Sequence, residues 1–267
     1  MTARVSALYG AEAVEQPNEA LLRKFDCVSI CSPTDTHVPL LRMAMGAGVP
    51  LVLCEKPLSN HSAILPDIMQ EYRRHNTRVM VNYIRRFQPG FQKLRDLIRE
   101  WKDAETLRHI SIRYQRGFIN NASHAFDILQ FLLERPLKLN QVHISHSMPD
   151  HFLKDPTISL TANWDDAVVN VLGLSNVQYA HFEVDIFFTS HKVSISNAGN
   201  LIRVYAAEKG EGSLRPLTET ALIEGGISNY MKPVIAVAHE MLQDTKRSDN
   251  FAQAVALNQH LLEIINQ

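Results

Sequence analysis

The chain has 267 residues, 27 Lys+Arg against 28 Asp+Glu for a formal net charge of -1, and 45% hydrophobic residues. That is enough apolar material for one large or two modest cores, and it excludes general disorder. The near-neutral charge excludes broad, sequence-independent nucleic-acid binding, and no apolar run approaches the roughly 20 residues of a membrane span. The opening residues, Met1 to Gly10, hold no long apolar stretch of a secretory signal, so a cytoplasmic chain is expected. Its three cysteines, Cys27, Cys31 and Cys54, are then expected to be reduced and buried, and the sequons at Asn60 and Asn121 carry no meaning.

In chain order, Pro17 to Lys24 predicts a short helix around Leu21 and Leu22, and Asp26 to Cys31 a buried strand. Four strand residues span about 13 Å, and a disulfide needs Cα atoms under about 7 Å apart, so Cys27 and Cys31 are not bridged in a strand. Ser32 to His37 reads as a turn. Thr36 to Ala47 follows as a helix with Val38, Leu41, Ala44 and Met45 at helical spacing, ended by Gly46 and Gly48. Val49 to Cys54 is the next strand, Ser59 to His75 a long helix capped by Ser59 or Asn60, and Arg78 to Asn82 a third strand. Two successive strand–helix–strand units imply a parallel sheet with helices packed on it.

The pattern changes near Gln88–Pro89, where a boundary separates residues 1–88 from residues 89–267. Phe91 to Trp101 predicts a helix. Strands follow at 107–115, 140–147, 158–163, 167–174, 179–188, 191–196 and 201–206, most of them alternating apolar and polar residues as half-buried antiparallel strands do. Phe182, Val184, Ile186 and Phe188 share one face, and Asn197 to Asn200 forms a hairpin turn. A helix interrupts at 123–133, and two close the chain near 229–244 and 249–265. The fold class is α/β plus α+β: a parallel sheet, then a large open, mainly antiparallel sheet with helices on one face.

Three places carry chemistry. Ser32-Pro33-Thr34-Asp35-Thr36-His37 lies at a strand's carboxyl end, where open α/β sheets bind ligands and where the N–H groups of a helix start favour an anion. A capped turn is the plain alternative. Glu55-Lys56-Pro57 lies at the next strand end, where a lysine can meet a ligand and burial can tune it as acid or base. A solvated Glu–Lys pair is the alternative there. Asn120-Asn121-Ala122-Ser123-His124 opens a helix, with Asp127 one turn further along the same face. A histidine there can bind a hydroxyl and shuttle protons near neutral pH, or simply cap the helix. The other histidines, among them His143 and His146, lack metal-ligand spacing, and no metal site is expected.

Taken in this order, Val28 to His37, Ala44 to Gly48, Val52 to Pro57, Asn82 to Pro89 and Asn120 to Asp127 resemble the Gfo/Idh/MocA family of nicotinamide-dependent sugar and polyol oxidoreductases. The resemblance implies a Rossmann-type first unit and a substrate and oligomerisation unit after it. It implies that Ser32, Pro33, Thr34 and His37 lie along the NAD or NADP dinucleotide, with Glu55 and Lys56 by the nicotinamide. Lys56 would hold the reacting hydroxyl and His124 would exchange its proton. Asn82, Arg85, Asn120, Asn121 and Asp127 would meet a sugar or nucleotide-sugar substrate. The cofactor would carry the hydride while the protein supplies position and proton transfer. A homodimer or homotetramer is implied, with neither nucleic acid nor membrane as partner.

Two departures accompany the resemblance. Many members carry Asp four residues before the histidine; Asn120 stands there, and an amide cannot take a proton as a carboxylate can. Asn121 to His124 looks like a variant in members tied to surface-polysaccharide or nucleotide-sugar synthesis. The family also begins with a strand, a Gly-x-Gly-x-x-Gly turn and a helix, then a strand ending in an acidic residue. The sequence holds no such turn, and Met1 to Gly10 corresponds to the helix and short strand after that unit. That unit binds the pyrophosphate and chooses between NAD and NADP. The expectation is therefore an oxidoreductase fold with a truncated Rossmann sheet, short of central strands. The alternative is a non-catalytic relic acting as a binding or oligomerisation module.

Overall fold

The computed structural model describes residues 8, 10–101, 104–210 and 214–266. The stretch Met1 to Gly10, matched above to a helix and short strand, lies almost entirely outside the described residues. A short helix α1 (Glu19–Leu22) starts on Asn18, whose side chain accepts from the Leu21 N–H. Strand β1 (Cys27–Ile30) then leads to helix α2 (His37–Gly46), β2 (Leu51–Cys54), α3 (Leu65–Tyr72) and β3 (Arg78–Val81). The three strands pair in parallel in the order β1-β2-β3. Every residue of the middle strand is buried, which is why Leu51-Val-Leu-Cys54 reads as a continuous apolar run rather than an alternation. Helix α2 packs on the sheet with Val38, Leu41, Ala44 and Met45 buried, and Gly48 follows it at φ +73°, the left-handed turn that lets the chain reverse into β2.

The long helix expected at 59–75 is shorter. It begins at Leu65 after a single 3-10 turn over Ser62–Ile64, with Pro66 in its first turn. Neither Ser59 nor Asn60 caps it. The Ser59 N–H instead donates to Asn258 Oδ1 at 2.9 Å, a contact made 199 residues along the chain that propensity cannot reveal.

After helix α4 (Pro89–Trp101), eight strands form the second sheet: β4 (Leu107–Tyr114), β5 (Leu139–Phe152), β6 (Asp155–Trp164), β7 (Ala167–Gly173), β8 (Phe182–Phe188), β9 (His191–Ser196), β10 (Leu201–Ala207) and β11 (Leu217–Glu224). Their spatial order is β11-β10-β9-β8-β4-β7-β6-β5, antiparallel throughout except for β4 against β7. Strand β11 was not expected from the sequence. It pairs only with β10 and is mostly exposed, so it lacks the apolar alternation of a half-buried strand. One face is a core built of Ile110, Ile112 and Tyr114 on β4, Ile158, Leu160 and Trp164 on β6, and Phe182, Val184 and Ile186 on β8. Helix α4 and helix α5 (Ser123–Leu133) join that core through Phe91, Leu94, Phe126 and Leu129.

The last two helices, α6 (Met231–Gln243) and α7 (Phe251–Ile265), return to the first sheet. The alternation of side chains along a strand explains how. Leu51, Leu53 and Met80 point to one face and pack on Val234, Val237, Ala238 and Met241 of α6; Val52, Cys54, Val79 and Val81 belong to the main core. Between the helices, Asp249 Oδ2 accepts from the Val79 N–H at 2.7 Å, and Asn250 exchanges two bonds with the Val81 backbone at 2.8 and 2.9 Å. The free edge of β3 is thus paired by side chains rather than by another strand. Of the cysteines, Cys54 is buried and Cys27 half-buried, but Cys31 is exposed, because β1 ends one residue before it. No helix among the described residues is long and apolar enough to cross a membrane.

Candidate active site

The carboxyl ends of the three parallel strands release three loops on the same side, the position at which open α/β sheets form a crevice. Two contacts staple these loops together. The His37 ring, buried at the start of α2, lies between the Ser32 carbonyl (Nε2, 2.8 Å) and the Pro57 carbonyl (Nδ1, 2.8 Å). Asn82 Nδ2 donates to Glu55 Oε1 at 2.6 Å, joining the second loop to the third. Within the first loop, the Ser32 and Thr36 hydroxyls meet at 2.5 Å, and Thr36 Oγ1 donates to the Pro33 carbonyl. Pro33 is exposed at the loop's tip. His37 is therefore committed to holding the loops, whereas Thr34 lines an open cleft of about 420 Å³ together with Pro57, Asn60, Ile119, Asn120 and the β5–β6 turn.

The second unit closes this cleft from the other side. A single π turn over Phe118–Ala122 leads from β4 into α5 and turns Asn120 towards the first unit. Lys56 Nζ donates to the Asn120 carbonyl at 2.6 Å and to Asn120 Oδ1 at 2.9 Å. Two residues 64 apart in sequence are thereby joined across the cleft. Asn120 Nδ2 turns back to the Arg116 carbonyl, and Asn121 Nδ2 donates to the Gln115 carbonyl, so Asn121 serves the turn itself. The carboxylate of Asp155, at the start of β6, accepts the Ile119 and Asn120 N–H groups. His124, in the first turn of α5, meets the Tyr83 ring edge-on at 5.7 Å between centroids.

Desolvation sets the charges. Burial lowers Lys56 to about 8, opposed by Glu55 and Asp155 and reinforced by Arg85. Burial also pushes His124 well below the usual imidazole range, and the cations Lys56 and Arg85 push it the same way. His124 is thus a neutral base, close enough to Lys56 to feel its charge. Arg85 is buried and lowered to about 10 by desolvation. Its guanidinium stacks 3.8 Å over the Phe182 ring and donates to the Ala198 carbonyl. An ammonium of tuned acidity beside a neutral imidazole can hold an oxygen and move a proton from it.

Asp127 has a different place. Its two oxygens form a fork with Arg86, Nε to Oδ2 at 3.0 Å and NH2 to Oδ1 at 2.7 Å, with both side chains buried. Arg86 NH1 also reaches Gln253 on α7. Asp127 therefore ties α5 to the loop after β3 instead of facing a ligand. Sequence reasoning named neither Arg86 nor Asp155. Arg86 stands beside Arg85 without distinction, and Asp155 lies in a hairpin turn 35 residues from Asn120. The alternating strands on either side of that turn were the only available signal.

The residues present fit the nicotinamide end of a dinucleotide. Asn82 Oδ1 is buried at the strand ends with no hydrogen-bond partner, an acceptor left for a bound group beside Glu55 and Lys56. The comparisons point the same way. Residues 2–83 match the profile described as the oxidoreductase family with NAD-binding Rossmann fold. Inositol 2-dehydrogenase of Corynebacterium glutamicum (strain R) is 27% identical over 186 residues, which is 64% of this chain and 55% of that protein. The chain thus spans about half the length of this curated relative. Among solved structures, the levoglucosan dehydrogenase complex with NADH and levoglucosan superposes with a TM-score of 0.77 at 17% identity, covering 98% of this chain and 84% of that one. The UDP-N-acetylglucosamine 3-dehydrogenase of Acidithiobacillus ferrooxidans gives 0.72 at 20% identity, with 99% and 84% covered. At these identities the structures show a shared fold.

Proposed function

We propose that this chain, whose residues 2–83 match the Gfo/Idh/MocA oxidoreductase family with NAD-binding Rossmann fold, is a member of that family and acts at a carbon bearing a hydroxyl or keto group in a sugar, polyol or nucleotide sugar. The observation that carries this reading is the contact of Lys56, at the carboxyl end of a parallel strand, with both oxygens of Asn120, four residues before His124 on the second unit. When bound, NAD or NADP carries the hydride. Lys56 Nζ holds the reacting hydroxyl and steadies negative charge that develops on its oxygen. His124 takes the hydroxyl proton during oxidation and returns it during reduction. Glu55 and Asn82 hold the nicotinamide side of the cleft, Thr34 lines the approach, and Arg85 adds to the desolvation that lowers both proton-handling groups. Asn120 orients Lys56 rather than relaying a proton, because an amide has none to exchange.

The substrate classes considered come from the relatives: inositol, levoglucosan and UDP-N-acetylglucosamine. The uncovered face of the large sheet, where Val168, Leu172 and Leu222 are exposed, supports assembly into a homodimer or homotetramer. A binding or oligomerisation module is the competing reading. Fluorescence titration with NADH and NADPH separates the two. Saturation below millimolar, followed by reduction of NAD or NADP with one of the three substrates, supports the oxidoreductase. Absence of saturation with either nucleotide overturns it for this chain.

A further inference from the structure

Asp155 sits in the turn of the β5–β6 hairpin, yet its carboxylate reaches two consecutive peptides of the π turn, Oδ1 accepting from Ile119 N at 2.8 Å and Oδ2 from Asn120 N at 2.7 Å. The turn leaves room for it. A Cβ on Gly117 would stand 2.1 Å from Asp155 Oδ2, and Gly117 holds φ +88° in the left-handed region that favours glycine. The same hairpin grips the preceding peptides through a separate chain of bonds. Thr157 Oγ1 accepts from Gly117 N and donates to Asp150 Oδ2, which also accepts from Arg116 N. Asp150 therefore anchors the entrance of the turn, and Asp155 anchors the N–H of the residue that touches Lys56.

We propose that Asp155 is the positioning residue of the site: it fixes the Asn120 N–H, and so the residue whose two oxygens face Lys56 Nζ, and it supplies from the second unit the negative charge that an amide at position 120 does not. This rests on the reading of Lys56 as the residue that holds the reacting hydroxyl. The Asn120 N–H and the Asn120 carbonyl belong to successive peptides, so Asp155 acts on Lys56 by fixing the Asn120 Cα between them and by its own charge. The charged and titratable groups facing Lys56 are Glu55 beside it, Arg85 after β3, His124 on α5 and Asp155 on the hairpin. Glu55, bonded to Asn82 on the first unit, and Asp155, from the second unit, both oppose the desolvation of Lys56.

The test uses the full chain with 13C-labelled lysine, following the Cε signal of Lys56 with pH by NMR, the signal being assigned by its loss in Lys56→Arg. The wild-type midpoint is expected near 8. In Asp155→Asn it falls by about one unit or more, because an opposite charge has been removed, and in Asp155→Glu it stays near the wild-type value. Asp150→Asn, which loosens the same hairpin without touching Asn120, leaves it in place. An unchanged midpoint in folded Asp155→Asn, or an equal fall in Asp150→Asn, overturns the proposal. If Asp155→Asn does not fold, the wild-type chain decides. The Ile119 and Asn120 amide signals must follow protonation of the Asp155 carboxyl on acidification, and amides indifferent to pH overturn the proposal. None of these measurements needs cofactor or substrate, so a failed nucleotide titration would remove the proposed activity and leave this result standing.

Discussion

Two charged contacts, one on the π turn that leads into α5 and one on the helix itself, are built in opposite ways. On the turn, Lys56 reaches across an open cleft to two uncharged oxygens of Asn120, four residues before His124. Further along, Asp127 and Arg86 form a closed fork, 1% and 6% exposed at their side chains. The open contact leaves a cation without a directly bonded carboxylate, and desolvation moves its proton affinity towards neutral pH. The closed contact matches charge with charge and hydrogen bond with hydrogen bond, and in so doing removes both groups from chemistry. The same separation occurs in the adjacent pair Arg85 and Arg86: the first rests on the Phe182 ring and a carbonyl, the second is bound to a carboxylate. The proposed proton transfer needs the incomplete arrangement, and the fold around it needs the complete one.

The comparison breaks most readily at the open contact. His124→Phe and Lys56→Met are expected to lower turnover by about 10²–10⁴-fold while the far-ultraviolet spectrum stays that of the wild type. Steady-state rates with the responding substrate check this, and retention of wild-type turnover in both would remove the catalytic assignment. At the closed contact, Asp127→Ala leaves Arg86 buried and unpaired, and a loss of about 3–5 kcal/mol is expected in urea unfolding. A loss under 1 kcal/mol would make the fork no more than a surface pair. Asn250→Ala, which strips two bonds from the backbone of Val81, is expected to cost about 1–3 kcal/mol by the same measurement.

The smallest effect has the opposite sign. Lys56 titrates near 8 in the fold, below its ordinary value, so the folded chain binds fewer protons than the unfolded chain between about pH 8 and 10. Stability from this group is therefore depressed below pH 8 and recovers as pH rises towards the unfolded value. Since Lys56 is partly exposed, Lys56→Met is expected to gain about 1–2 kcal/mol at pH 7 and to flatten that rise. Urea midpoints at pH 7 and pH 10 check it. One variant would then be both inactive and more stable, as expected where a site holds a charge at a cost to the fold.

Much of this was legible in advance because it is periodic or local. The strands from β4 to β10 follow from alternation, and the placement of Glu55, Lys56 and Asn82 at strand ends follows from the apolar runs before them. What escaped depends on partners far along the chain. Asp127 shares a helical face with His124 in any sequence reading, and only Arg86, 41 residues earlier, decides that it is a structural anion. Likewise, His37 appears free at a helix start until Ser32 and Pro57 are found on either side of its ring. Strand β11 escaped for the converse reason: an edge strand that buries little carries little pattern.

The return of α6 to the first sheet has a bearing on synthesis. Leu51, Leu53 and Met80 emerge from the ribosome long before Val234, Val237, Ala238 and Met241, the side chains that cover them. Roughly 150 residues separate β3 from α6, so at about 5–20 residues per second one face of the parallel sheet stays uncovered for about 10–30 s. Over the same interval the β3 edge lacks Asp249 and Asn250 and offers its backbone to any strand that meets it. The first unit can reach its final state only when residues 231–250 have arrived, so a chaperone that shelters nascent apolar surface would find its binding site on β2 and β3.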